Sequence, residues 1–218
     1  MNNARANILA RLWTAISPDD LAPFESSVTG SALELSRTER VARLKQRMEA
    51  MHAEVVITSA NGWIDALKAT LRQRLLNGLL YAPDTALGKA LAAVLDSDLP
   101  PLVGYTETIE QCKERLFAID ASITSTQGGL ADVGALILWP DSDEPRLMSL
   151  APALHIAVLD AAKIHDSLAQ AIAHEHWREK MPTNILLISG PSKTADIELV
   201  LTFGVHGPKE LIVLILDG

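Results

Sequence analysis

The sequence predicts an α/β protein in three layers, in which a mostly parallel sheet lies between two layers of helices. Segments with strand patterns alternate with segments of helical periodicity, and this order favours crossover units and parallel strands. Two nearly pure aliphatic runs, residues 184–189 and 211–216, suit strands that are buried on both faces. Hydrophobic residues make up 48% of the chain but aromatic residues only 4%, so the core must be mostly aliphatic.

Residues 1–53 are predicted to be a helical appendage. Apolar side chains recur at helical spacing over residues 6–16. Ser36 and Glu39 form a capping box that begins a second helix. The apolar face of that helix is predicted to carry Val41, Leu44, Met48 and Met51. The α/β domain is then expected to occupy residues 54–218.

Within this domain, six further segments have the alternation or the β-branched content of strands. They are residues 55–58, 78–82, 102–105, 117–124, 134–139 and 155–159. Helices are predicted over residues 163–177 and directly after Gly190 and Pro191. Asn61 is expected to cap the helix that follows the first strand.

The composition excludes several kinds of function. The formal net charge is −8 and no dense run of Lys and Arg is present, so nucleic acid is not an expected partner. Cys112 is the only cysteine. Thiolate-ligated iron–sulfur clusters usually need about four cysteines and structural zinc sites commonly need at least two. The chain is therefore expected to bind no cofactor and no metal by itself.

The location is predicted to be cytoplasmic. No apolar run approaches the roughly 18–20 residues of a transmembrane helix, so no membrane insertion is expected. The N-terminal helical pattern carries Arg5 and Arg11 and lacks the continuous apolar core of a signal peptide. The single cysteine also fits a reducing compartment.

The segment most informative about function follows the aliphatic run at residues 184–189. A buried strand is predicted to pass through Gly190 and Pro191 into a helix, and ligands bind at the carboxyl ends of such strands, where free N–H groups favour anions. Ser192, Lys193 and Thr194 would add donors. The Walker pattern is absent, because the glycines that it requires are missing.

A plain structural interpretation of the same segment stays open. Ser192 or Thr194 can cap the predicted helix, and Asp196 and Glu198 then lie in its first turn, where the helix dipole favours acids. His206 lies two residues after one glycine and directly before Gly207, and can either point into a cleft or belong to a simple turn. Asp196, Glu198 and His206 are the candidates for acid–base catalysis.

Three segments of the chain carry recognisable motifs. They are residues 188–208 with the aliphatic strand that follows, the glycine-rich turn at residues 128–135, and residues 150–156, which read Leu-x-Pro-x-x-His-Ile. Together they resemble the C-terminal signature, the glycine-rich turn and the histidine segment of the lactate-utilisation protein C family, the LUD-domain proteins similar to LutC and YkgG. Val133 and Ala135 depart from the family, in which hydroxyl residues are usual at these positions.

The resemblance implies an isomerase/CoA-transferase-like fold and membership of a three-part system that oxidises L-lactate to pyruvate. It also implies that iron–sulfur clusters belong to the partner subunits and that this chain is an accessory subunit with a cleft for a small anionic ligand or a partner. The predicted ligand-binding residues are Gly128, Gly129, Asp132, Gly190, Ser192, Lys193, Thr194, His206 and Gly207.

Two alternatives remain at this point. The first is a free-standing isomerase or CoA-transferase-like enzyme that acts on a phosphorylated or thioester substrate. The second is a small-molecule sensor on the same fold. Fold alone cannot decide among them.

Two further signals are interpreted as structural. His174 and His176 flank Glu175, but on a helix residues two apart point in nearly opposite directions, so a shared metal ion is not predicted. His155 is predicted to begin a buried strand as a core histidine whose hydrogen bonds are satisfied.

Overall fold

The computed structural model describes residues 4–15, 34–72, 74–94, 99–106, 109–179, 181–195, 201–204 and 206–218. Contacts divide the chain into two compact units, Met1–Leu33 and Glu34–Gly218. Helix α1 (Ala4–Ala15) belongs to the first unit. The second unit contains the remaining elements.

The helices of the second unit are α2 (Arg37–Ala50), α3 (Trp63–Leu71), α4 (Ala86–Ala92), α5 (Ile109–Ala118), α6 (Arg146–Leu150) and α7 (Leu168–His174). Its strands are β1 (Glu54–Thr58), β2 (Leu79–Tyr81), β3 (Leu102–Gly104), β4 (Ala121–Ser125), β5 (Gly128–Leu130), β6 (Ala135–Leu138), β7 (Leu154–Asp160), β8 (Ile164–His165), β9 (Leu186–Ile188), β10 (Lys193–Ala195), β11 (Leu201–Phe203) and β12 (Glu210–Leu216).

A six-stranded sheet with the order β1-β12-β7-β4-β2-β3 forms the central layer. Every neighbouring pair in it is parallel. The aliphatic run 211–216 belongs to β12, which lies between β1 and β7 and has five consecutive buried residues. A strand whose side chains are covered on both faces needs this composition. The predicted mostly parallel sheet is thus confirmed.

Helices α3 and α4 cover one face of this sheet. Their buried side chains form one apolar cluster with side chains of β2, β4, β7 and β12. The opposite face is covered by α2 and by a second sheet with the order β8-β5-β6-β9. Helices α5 and α6 pack beside them against Leu80. The architecture therefore has three layers, and one outer layer contains strands as well as helices.

Helix α2 is part of the second unit. The predicted capping box is present, because the backbone N–H of Ser36 donates to Oε2 of Glu39 at 2.8 Å. Leu44 and Met48 are fully buried and Val41 is 4% exposed, all in one cluster with the central sheet. The sequence predicted a domain boundary after residue 53, which would place α2 outside the α/β domain. The contacts instead divide the chain after Leu33, so that α2 belongs to the same unit as the sheet on which it packs.

Three predicted elements differ from the structure. Residues 117–124 were expected to be one strand, but α5 continues to Ala118 and β4 begins at Ala121. Residues 163–177 are not one helix, because β8 precedes α7 and Ser167 caps α7 through the backbone N–H of Gln170. Gly62, not Asn61, is the N-cap of α3, and it makes no side-chain capping bond.

The segment after Gly190 and Pro191 also differs from the prediction. Residues 193–195 form β10, which pairs antiparallel with β11, so over these described residues the chain is a strand and not the helix expected directly after Pro191. The preceding run at residues 184–189 contributes β9, an edge strand of the second sheet in which Leu187 is 49% exposed. It is therefore not a strand of the central sheet.

Candidate functional site

Three polar side chains interrupt the apolar surface that the central sheet turns towards the second sheet. Ser122 and His155 are register partners in β4 and β7, and Thr124 follows Ser122 on the same face. All three are buried. Ser122 donates to the carbonyl of Met148 in α6. A buried polar group costs free energy unless it is hydrogen-bonded, so the partners of the other two decide what this patch can do.

His155 has a partner at only one of its ring nitrogens. Its Nε2 lies 2.9 Å from Oγ1 of Thr124. Its Nδ1 is buried and makes no hydrogen bond among the described residues. Burial lowers the pKa of His155 to about 4, so the ring is neutral at pH 7. The expectation of a satisfied core histidine is therefore half wrong: the residue is in the core, but one ring nitrogen is left over.

A cavity of about 220 Å³ opens beside His155. Its wall is formed by the end of α6, the start of β7 and β12, β9 and the turns that follow β9 and precede β12. The lining residues are Ser149, Leu150, His155, Leu187, Ile188, Ser189, Gly190, Ser192, His206, Gly207, Pro208 and Leu211. Because β7 and β12 begin here, the cavity lies at the amino-terminal end of these parallel strands. The prediction placed the site at carboxyl ends, which holds only for β9.

Four of the predicted ligand-binding residues meet at this cavity: Gly190, Ser192, His206 and Gly207. The loops that carry them are fastened together, because the N–H of Ser192 donates to the carbonyl of Pro208 at 2.9 Å. Gly190 approaches the end of α2 so closely that an added Cβ would lie 2.7 Å from the carbonyl oxygen of Met51. The glycine therefore allows the turn to lie against the helix.

The other predicted residues lie elsewhere. Lys193 and Thr194 belong to β10, and Lys193 is not among the described residues that line the cavity. Gly128 and Gly129 lie in β5, between β6 and β8. Asp132 follows that strand, and its Oδ1 is buried without a hydrogen-bond partner in the described structure.

Asp196 and Glu198, two of the three catalytic candidates, lie outside the described residues. The third candidate, His206, is exposed at the cavity.

A second cavity, of about 180 Å³, lies at the carboxyl end of β4. It shares Ser149 with the first cavity, and its wall also includes Thr124. Glu144 closes it, and its carboxylate accepts hydrogen bonds from the backbone N–H and the hydroxyl of Ser125. Burial raises the pKa of Glu144, and the nearby Asp141 and Asp143 act in the same direction against the hydrogen bonds from Ser125.

The His-Glu-His segment has a structural role for its central residue. Glu175 Oε1 lies 3.2 Å from Nε2 of His165, and the rings of His165 and His174 pack edge to face at 5.9 Å. Burial lowers the pKa of His165, against the opposing effect of Glu175. Within the described parts of the chain, no group of three or more His, Cys, Asp or Glu side chains is arranged to hold a metal ion.

Sequence reasoning missed Thr124 and Glu144. A signal for Thr124 is present, because four consecutive polar residues, 124–127, stand at the end of a strand. Glu144 lies in an acidic turn, residues 140–145, and the sequence of this turn gives no sign that a carboxyl group folds back onto the end of β4. His155 was noticed as part of a motif, but its unpaired nitrogen depends on strand register.

The fold and the cavity define an α/β protein with a parallel central sheet and a small cavity at its amino-terminal edge. The chain belongs to the LUD-domain family, whose profile matches residues 41–216. The match begins inside α2, in agreement with the packing of that helix on the sheet.

Individual relatives were also found. The chain is 35% identical over 220 residues to an uncharacterised protein of Neisseria meningitidis serogroup B, covering 97% of this chain and 93% of that protein. It is 28% identical over 193 residues to Lactate utilization protein C of Bacillus subtilis, covering 84% and 80%.

A solved structure shares the fold. The crystal structure of a DUF162 family protein from Deinococcus radiodurans superposes with a TM-score of 0.59 at 21% identity, covering 84% of this chain and 99% of that one. In the described part of the chain, no helix combines the length and apolar character needed to cross a membrane.

Proposed function

We propose that this chain acts in lactate utilisation, as an accessory subunit of an iron–sulfur system that oxidises L-lactate to pyruvate. The observation that carries the proposal is the cavity beside His155, in which four of the predicted ligand-binding residues meet. Several relatives, among them those from Bacillus subtilis and Bacillus mycoides, carry the name Lactate utilization protein C, which supports the choice of pathway.

The composition supports the division of labour. With Cys112 as its only cysteine, the chain has too few thiolates to hold an iron–sulfur cluster by itself. Electron transfer from lactate would then take place on partner subunits, which hold the clusters. The role of this chain would be to bind a small ligand or a partner segment in its cavity.

Glu144 favours a second candidate function. A half-buried carboxyl group with a raised pKa, beside a polar cavity at the carboxyl end of a parallel strand, suits acid–base chemistry. This arrangement would serve a free-standing isomerase or CoA-transferase-like enzyme that acts on a phosphorylated or thioester substrate. In that case Glu144 is a better candidate for the acid–base group than the exposed His206.

Affinity purification of the full chain from native extract, followed by lactate-dependent dye reduction, tests the first proposal. We expect iron–sulfur proteins to co-purify and the eluate to reduce dye only when L-lactate is added. A chain that purifies alone and turns over a sugar phosphate or a thioester would contradict this proposal and support the second. Glu144→Gln is the matched variant, since it should abolish that turnover but leave lactate-dependent dye reduction intact.

A further inference from the structure

The second cavity, at the carboxyl end of β4, has a mostly polar wall without a positive charge. Four consecutive polar residues, 124–127, and the acidic turn with Asp141 and Glu144 belong to this wall. Among the described residues that line the cavity there is no Lys, Arg or His. A phosphate or carboxylate ligand would therefore meet acidic side chains and no compensating cation, which disfavours anions in this cavity.

The two carboxyl groups of the wall are held in place by hydrogen bonds from the protein itself. Oδ1 of Asp141 accepts from the backbone N–H groups of Asp143 and Glu144 at 2.9 and 2.8 Å. The carboxylate of Glu144 accepts from the backbone N–H and the hydroxyl group of Ser125. Oδ2 of Asp141 makes no hydrogen bond with any described residue, and Asp141 is exposed, so this oxygen remains an acceptor for a ligand.

The polar side chains that follow β4 offer further acceptors and one free donor. The hydroxyl group of Ser125 donates to Glu144. That of Thr126 donates to the carbonyl of Val158 at 3.0 Å. Both hydroxyl oxygens can still accept a hydrogen bond. The half-buried side chain of Gln127 makes no hydrogen bond within the described structure, so its amide offers a ligand both N–H donors and a carbonyl acceptor.

An aromatic ring supplies the apolar part of the wall. The indole ring of Trp139 lines the cavity and packs edge to face against the ring of Trp177, with 5.5 Å between the ring centres. Aromatic pairs of this kind prefer a specific geometry, so the contact holds the ring in one orientation. The cavity therefore combines a fixed apolar surface, which suits C–H groups, with several acceptors and one amide donor.

A ligand that satisfies this wall must both donate and accept hydrogen bonds and needs no charge. An ammonium group only donates, so it cannot use the N–H groups of Gln127, and its transfer out of water is costly. Asp141 is a weak partner for such a cation because it is exposed. Burial raises the pKa of Glu144, which favours the uncharged carboxyl form. A hydroxyl group, by contrast, both donates and accepts.

We propose that the second cavity binds a small uncharged polyhydroxy compound, a sugar or a polyol. One hydroxyl group would donate to the carboxylate of Asp141, a neighbouring one would accept from the amide of Gln127, and C–H groups would lie against Trp139. The volume of about 180 Å³ is below the roughly 300–1,000 Å³ of pockets for drug-sized ligands, so the cavity does not enclose a nucleotide or a coenzyme A thioester.

The inference goes beyond the lactate proposal, which concerns the other cavity. As the substrate class of the second candidate function it rests on that proposal. Any phosphoryl group of such a substrate would have to lie outside the second cavity, because no cation lines it in the described part of the chain.

Three compounds with the same three-carbon skeleton test the inference on the full chain. They are glycerol, 3-amino-1,2-propanediol and glycerol 3-phosphate, which share a vicinal diol and differ in charge. We expect glycerol to bind in the millimolar range, and the cationic and anionic analogues to bind at least about fivefold more weakly. Calorimetry or ligand-observed NMR measures the dissociation constants. No binding of glycerol, or equal or tighter binding of either charged compound, overturns the inference.

A matched pair of glutamine substitutions tests the role assigned to Gln127. Gln127→Met keeps the length of the side chain and removes its amide, so it should weaken glycerol binding at least about threefold, as the loss of one hydrogen bond implies. Gln46→Met is the control, because Gln46 is exposed on α2 and does not line the second cavity. It should leave the dissociation constant unchanged. Equal binding by all three proteins would exclude Gln127 and with it the proposed site.

NMR of the unsubstituted chain shows where glycerol binds and does not depend on variants that fail to fold. The side-chain amide resonance of Gln127 should shift on titration with glycerol, and that of Gln46 should not. An unchanged Gln127 resonance contradicts the inference. Iron–sulfur partners that co-purify with a chain unable to bind glycerol would leave the lactate proposal standing and reject only this inference. Glycerol binding by a chain that turns over no sugar phosphate or thioester would reject the second candidate function and keep the inference.

Discussion

The carboxylate of Glu144 and the backbone N–H of Ser125 are joined by hydrogen bonds of 3.0 and 3.1 Å, which fasten the acidic turn over the carboxyl end of β4. This contact holds a carboxyl group in a place where burial opposes its ionisation. The same turn borders the second cavity, so the protonation state of Glu144 changes the charge of that cavity, to which Asp141 also contributes.

Glu144 should make the protein less stable as the pH rises. Its pKa is raised in the folded state, so the folded chain binds more protons than the unfolded chain at pH values above about 4.5, the ordinary value. The stabilisation that Glu144 contributes to the folded state is fully present below about pH 4.5. It is lost as the pH rises through the raised pKa of Glu144 in the folded protein. Urea unfolding of the wild type and Glu144→Gln from pH 4.5 to pH 8 measures it. A pH-independent difference between the two proteins would contradict the raised pKa.

His155 should have the opposite effect at lower pH, where it makes the protein more stable as the pH rises. Its pKa falls from 6.5 in the unfolded chain to about 4 in the folded one, so the unfolded chain gains a proton first on acidification. Stability is lost as the pH falls from 6.5 towards 4, by about 3 kcal/mol at about 1.4 kcal/mol for each unit. His155→Gln, which cannot ionise, should lose correspondingly less. Equal losses in both proteins would mean that another group controls the acid transition.

Gly134 should not accept a side chain. Its φ of +69° is in the left-handed region, and an added Cβ would lie 2.4 Å from Cβ of Arg47 in α2. We expect Gly134→Ala to cost more than about 2 kcal/mol, from strain and overpacking together. Gly104→Ala is the control, because its nearest neighbours would lie 3.6 Å away and it should cost less than about 1 kcal/mol. Urea denaturation compares them, and similar costs would contradict the packing of this turn on α2.

The contacts of α2 predict where the chain can be shortened. A protein that begins at Glu34 should keep a cooperative unfolding transition, whereas one that begins at Glu54 should lose it. Removal of α2 withdraws Val41, Leu44 and Met48 from the core. The burial of each side chain stabilises the fold by about 1.5–3 kcal/mol, so the loss of all three is comparable with the total stability of a domain. Circular dichroism during thermal unfolding distinguishes the two.

Point substitutions in the full chain provide the control for that experiment. Leu44→Ala should cost about 2–5 kcal/mol because Leu44 is fully buried. Gln46→Ala, on the exposed side of the same helix, should cost less than about 0.5 kcal/mol. If both substitutions have the same small effect, α2 is an appendage as the sequence first indicated.

The sequence predicted the elements whose patterns are local and strong. The capping box at Ser36 and the aliphatic run of β12 each determine their element without help from distant residues. The prediction of a helix after Pro191 was wrong because the structure of this segment depends on residues farther along the chain. Hydroxyl residues followed by acids favour a helix start locally, but pairing of residues 193–195 with residues 201–203 gives this segment a strand partner that no local pattern reveals.

The candidate site could be predicted only in part. The turns around Gly190 and Gly207 were identified from the sequence, because glycine and proline mark turns strongly. The hydrogen-bond partner of His155 could not be identified in this way. Thr124 lies in the neighbouring strand, and the register of the two strands depends on the whole sheet. Glu144 was missed since its burial depends on the loop that folds over β4.

The position of β12 has a consequence for how the protein is made. Its partner β1 is paired through Glu54 and Ile212, residues that lie far apart in the chain, and β7 flanks it on the other side. While the ribosome is still synthesising residues 210–216, β1 and β7 lack the strand that joins them, and their backbone edges are open to other chains. We expect this protein to complete its sheet late and slowly, and to need protection from aggregation until then.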